Sequence, residues 1–216
     1  MLNLLRKEWL VSRWVHIIAL LVGLGIVFIA KAEPKSALFA ALFANLMYTH
    51  MVFNMTRALA VSRPSNMLLN SLPVTRTQII AAKYLFAVMC VVLFALYTSL
   101  LLVLAAAWGV PLGMPVWLLW LLPTILGLLY LALLMPLSYL DAKYGAWASM
   151  AIYLAILILP RRLGKGKTGE ALTAFFARIA SLLGNGGILA ALVLGIALLV
   201  GASMLISMRI YRRAEF

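Results

Sequence analysis

Apolar runs long enough to approach or exceed the thickness of a bilayer recur along almost the whole chain, and they constrain its fold more than any motif does. A transmembrane helix needs roughly 20 predominantly apolar residues. Candidate spans run from Val15 to Ala30, Ala37 to Met55, Ile79 to Trp108, Val116 to Leu140, Tyr144 to Leu159 and Ile188 to Met208. Backbone polar groups in hydrocarbon must find partners within the protein, which favours helices. The expected fold class is therefore all-α: one polytopic integral membrane domain, residues 1–216, with six transmembrane helices. Composition agrees, because 66% of the 216 residues are hydrophobic and only 11% are charged. A soluble domain carries nearer a quarter. The single cysteine, Cys90, rules out a disulfide framework or thiol metal site within the chain.

The net charge of +13 comes from 18 Lys and Arg against 5 Asp and Glu. In a soluble protein such an excess suggests nucleic acid. Here the cations sit mainly between apolar runs, the pattern of membrane topology and anionic lipid contact. With both termini in the cytoplasm, eleven cations lie inside (Arg6, Lys7, Arg13, Arg57, Arg63, Arg76, Lys83, Lys143, Arg209, Arg212 and Arg213). Seven lie outside, five of them in the stretch from Arg161 to Arg178. The positive-inside rule favours this orientation, and that basic outer loop runs against it. Ala30-Lys31-Ala32 imitates a signal-peptide cleavage site. The long preceding region with Glu8, Trp9 and Trp14 points instead to an uncleaved first span. Residues 1–14 read as an interfacial N-terminal helix, with tryptophans at headgroup level.

The interval from Arg57 to Tyr84 carries four cations and no acid. Pro64 and Pro73 bracket a short helix, since proline is tolerated in a first turn and ends a helix later on. Met67, Leu68, Leu69 and Leu72 give it an apolar side. Thr75 and Gln78 then form a capping box that opens a new long helix. From the residues alone, 62–74 is either a helix pressed on by a partner or a solvated turn.

The run LLNSLPVTRTQIIAAKYL, Leu68 to Leu85, resembles the cytoplasmic signature of ABC-2 type permeases, the membrane subunits of two-component ABC exporters. It is similar to the run in small bacterial peptide exporters such as the phenol-soluble modulin exporter. The resemblance implies a permease subunit of the bacterial cytoplasmic membrane, with 62–74 as a cytoplasmic coupling helix. Met67, Leu68, Leu69, Leu72, Pro73 and Arg76 would then dock on a separate ABC ATPase. It further implies two ATPase copies, a second permease copy in a homodimer or else a similar chain beside this one, ATP and Mg bound by the partner alone, and an amphipathic or hydrophobic peptide as cargo.

Catalytic chemistry is sparse. Gly166-Lys167-Thr168 resembles the end of a phosphate loop, but the required upstream glycine is Arg161. His16 and His50 lack acidic neighbours in sequence, so no metal ligand set is evident. His50 and Asn54 share a helix face and are candidates either for lining a pathway or for hydrogen bonding between helices. Beyond Pro160, residues 161–186 read as a basic loop and an amphipathic outer helix, with Phe175, Phe176 and Ile179 on its apolar side. Gly187, Ala191 and Gly195 recur at a spacing that lets helices approach closely. The chain is expected to be a non-catalytic transport subunit that binds no nucleic acid. A membrane-embedded enzyme acting on lipid and a carrier or scaffold that does not use ATP are the alternatives.

Overall fold

The computed structural model describes residues 2–33, 37–61, 75–111, 116–139, 142–163, 187 and 190–211. The described residues form six helices and no strand: α1 (Leu2–Ala32), α2 (Ala37–Val61), α3 (Arg76–Ala107), α4 (Val116–Leu137), α5 (Ala142–Leu163) and α6 (Ala190–Tyr211). Four stretches are long and apolar enough to cross a membrane: Asn3–Ala32, Arg76–Ala107, Leu118–Leu137 and Ala190–Tyr211. The 25 residues of α2 contain one charged side chain, Arg57. α5 holds the shorter apolar stretch Ala146–Ala155.

Two helix bounds differ from those expected. The separate interfacial helix expected over residues 1–14 is continuous with the first span, so α1 runs unbroken for 31 residues. At about 1.5 Å per residue that exceeds a hydrocarbon core of roughly 30 Å, so the helix is longer than one crossing needs. No glycine or proline stands between Arg6 and Val15 to bend it. The basic loop expected from Pro160 starts later, because residues 160–163 continue α5. The segments 62–74 and 164–186, which hold the expected coupling and outer-loop helices, lie outside the described residues.

The expected capping box is present. Thr75 Oγ1 accepts from Gln78 N at 3.3 Å, and Gln78 Oε1 accepts from Thr75 N at 3.0 Å. At its other end α3 closes in a Schellman motif. Gly109 adopts φ of 88°, Gly109 N donates to Ala106 O at 2.9 Å, and Val110 N donates to Ala105 O at 3.2 Å. A side chain would resist that left-handed turn, which is why glycine stands there.

α2 is the central element and packs against α1, α3, α4 and α5. One apolar cluster joins α1, α2 and α3 through Val15, Ile26, Tyr48, Phe86 and Phe94. A second joins α2, α3 and α4 through Leu46, Phe53, Tyr84, Tyr130 and Leu134. Gly127 allows α4 to come close. A Cβ there would stand 2.7 Å from Val91 Cγ1 and 3.2 Å from Asn45 Oδ1. α4 is deeply packed, with 56% of its apolar window buried, whereas α6 buries 11% and lies at the periphery.

α6 is tied on by hydroxyl groups, and proline is the reason. Pro136 has no N–H to offer the carbonyl of Ala132 one turn earlier. Ser203 Oγ of α6 donates to that carbonyl at 2.7 Å. With its proton spent, Ser203 accepts from Tyr84 Oη at 2.7 Å, and Ser207 Oγ then donates to Tyr84 at 2.7 Å. A freed carbonyl satisfied by a neighbouring helix is how membrane helices tolerate proline.

Candidate functional site

His50 and Asn54 lie one turn apart on α2, as the sequence predicts, and the fold brings them to α4 and α5. Asn54 Nδ2 donates to His50 Nε2 at 2.8 Å and to the His50 carbonyl at 3.0 Å. Nε2 is therefore the acceptor, and the imidazole carries its proton on Nδ1. Nδ1 donates to Tyr130 Oη on α4. Tyr130 in turn donates to the Ser149 carbonyl on α5 at 3.4 Å. The Tyr153 ring packs 5.0 Å from the imidazole, centroid to centroid. The result is a directional chain, Asn54 to His50 to Tyr130 to α5, across three helices. His50, Asn54 and Tyr153 are half-buried and Tyr130 is fully buried. Beside it, Asn45 is fully buried, and its Nδ2 has no hydrogen-bond partner among the described residues.

The other histidine enters a second chain that sequence reasoning missed. Ser12 Oγ donates to the Glu8 carbonyl at 2.7 Å, which spends its only proton. His16 Nε2 therefore donates to Ser12 Oγ at 2.9 Å, and His16 Nδ1 accepts from Tyr48 Oη at 2.8 Å. Cys90 of α3 is buried and lines the same cavity as Tyr48. Trp9 stacks on the imidazole at 4.3 Å. The two histidines thus use opposite tautomers, each dictated by the group one helical turn away. The i, i+4 pair Ser12 and His16 was the available signal, and it matches the His50 and Asn54 spacing.

Two buried charges were also missed as a pair. Glu8 on α1 is 3% exposed and Lys83 on α3 is 6% exposed. Glu8 Oε1 accepts from Lys7 Nζ at 3.3 Å, and Oε2 has no hydrogen-bond partner among the described residues. The Glu8 carboxylate acts electrostatically on the Lys83 ammonium. An ionisable pair within apolar helices is costly and points to a role beyond filling space. In sequence, Glu8 is the one acid of α1, and Lys83 interrupts the apolar face that opens α3.

Of the six expected docking residues, only Arg76 is described. It is the first residue of α3 and is exposed. Met67, Leu68, Leu69, Leu72 and Pro73 lie outside the described residues. Arg76 acts electrostatically on Tyr211 at the end of α6. A ring contact of 5.6 Å joins Tyr211 to Tyr139, just past α4. The start of α3 and the ends of α4 and α6 therefore meet at one end of the bundle.

A comparison with family models matches residues 3–212 to one described as an ABC-2 family transporter protein. No curated protein matches the chain.

Proposed function

From the premise that this chain belongs to the ABC-2 family of transporter proteins, we propose that it is the membrane-spanning permease subunit of a bacterial ABC exporter. In this reading all six helices cross the cytoplasmic membrane, with both termini inside. Two copies form the translocation path, and two separate ATPase subunits bind ATP and Mg and dock beneath it. Few charges stand within the spans, so the cargo is amphipathic or hydrophobic, a peptide being the class the sequence resemblance favours. His50 and Asn54, half-buried on the central helix, are the proposed contacts to the path.

The observation that carries the reading is the family match over nearly the full length. The local support is the capping box that starts α3 directly after residues 62–74. A capped helix is held from its first turn, so a push delivered just before Thr75 passes to α3 as a rigid body. Coupling needs such an element, one whose contacts differ between two states.

The test places a charge on the proposed docking face. Burying one leucine contributes about 1.5–3 kcal/mol, and Leu69→Asp forfeits this and buries a carboxylate. The expected outcome is normal membrane insertion, loss of ATPase copurification and loss of transport-stimulated ATP hydrolysis. A Leu69→Asp protein that retains the ATPase and still transports would sink the coupling role.

A further inference from the structure

Partway along the seam between α1 and α3 the two helices part around a cavity of about 160 Å³. They run parallel, since Leu4 meets Ile79 and Ala82 near their starts and Tyr97 reaches Leu20 and Gly23 further along. Both ends of the seam are shut. Leu4, Ile79 and Ala82 form a buried cluster at one end. At the other the Tyr97 ring lies over Gly23, where a Cβ would run into it, and its hydroxyl donates to the Leu20 carbonyl at 2.8 Å. The way in is therefore from the side. Three lining residues mark that mouth, Trp9, Leu20 and Leu93, and they are 46%, 49% and 50% exposed on apolar helices.

The cavity is lined by aromatic, aliphatic and sulfur-bearing groups, and its polar members are already engaged. The protons of Ser12, His16 and Tyr48 are committed to one another and to the Glu8 carbonyl, and the Cys90 thiol is a weak donor. The Tyr97 proton is committed to Leu20. A polar ligand would have to break that chain to be held, whereas a hydrocarbon meets a wall whose donors are spent. Dry cavities of about 150 Å³ take an apolar molecule the size of benzene. This cavity thus suits the end of one chain, not a headgroup.

The geometry points to a lipid site: the α1–α3 cavity, entered between Trp9, Leu20 and Leu93, holds the acyl-chain end of a membrane phospholipid. This inference stands independently of the coupling and transport reading.

The full chain is reconstituted in phosphatidylcholine vesicles that include a phosphatidylcholine with a diazirine in its acyl chain. After irradiation, adducts are mapped by mass spectrometry. Leu93 and Leu20 are expected to be labelled several-fold more than Leu198 and Leu205, which are 73% and 65% exposed on α6 and report ordinary boundary lipid. Ala19, buried in the cavity wall, is then replaced. Ala19→Phe fills the space and is expected to abolish the excess while α6 labelling persists. Where that variant fails to insert, Leu93→Trp closes the mouth from its exposed rim and serves the same purpose. Equal labelling of the cavity and α6 overturns the site, and so does an excess that survives the blocking variant.

Discussion

Tyr130 converts a polar patch on α2 into a tie between helices. It accepts the His50 Nδ1 proton and passes its own to the Ser149 carbonyl, so its hydroxyl has a partner on each side. Tyr130→Phe keeps the ring in place and removes the acceptor of the His50 Nδ1 proton on the side of the imidazole that faces the buried Tyr130. Leaving a buried donor unmatched costs about 1–3 kcal/mol, and a lower melting temperature in detergent is the expected reading. Asn54→Ala should cost less, because the acceptor it abandons belongs to a half-buried ring that water can reach. Equal stability for Tyr130→Phe and wild type would show that the hydroxyl chain does not hold the helices. The residues His50 and Asn54 were legible as a unit because one helical turn separates them. Tyr130 and Ser149 were not, since their partners lie 80 and 19 residues away and nothing local marks them. The His16 chain failed to show for the same reason, with Tyr48 32 residues distant.

At the scale of elements, apolar run length made most helix positions legible, because the bilayer dictates length before packing does. The cap at Thr75 was legible as well, being written within four residues. Charged residues near Arg6 and Arg13 suggest a surface face over residues 1–14, and the helix of that stretch runs on into the first span without a break. Why Pro136 is tolerated could not be read at all, because the answer lies on α6. That answer gives a double-mutant cycle. Ser203→Ala in the native chain leaves the Ala132 carbonyl without its α6 donor. In a Pro136→Ala background the restored N–H at 136 can satisfy that carbonyl along the helix. Ser203→Ala is therefore expected to be less damaging there, with a coupling of about 0.6 kcal/mol, the average for hydrogen bonds between membrane helices. Unfolding in mixed micelles measures it. Strict additivity of the two changes would separate the serine from the proline.

For the whole molecule, the helix ends bear on the proposed topology. α1 and α3 begin at the same end of the bundle, where Glu8 acts on Lys83. Arg76, Tyr139 and Tyr211 gather at that end too, so α4 and α6 finish where α3 starts. α5 sets off from there as well, with four residues between it and the end of α4. A chain that leaves this end in α5 and returns to it in α6 crosses an even number of times. If α5 and α6 both cross, as proposed, the basic run between them is expected on the far side, against the charge rule. Single-cysteine variants test this in a Cys90→Ser background, which removes the one native thiol. With an impermeant maleimide on intact cells, Leu112→Cys and Thr168→Cys are expected to be labelled, and Asn70→Cys only after permeabilisation. If Thr168→Cys instead behaves like Asn70→Cys, α5 does not cross, and the basic run from Arg161 to Arg178 lies inside, as the positive-inside rule favours. The carboxy-terminal tail after α6 would then lie outside, and a cysteine placed at Glu215 would be labelled on intact cells.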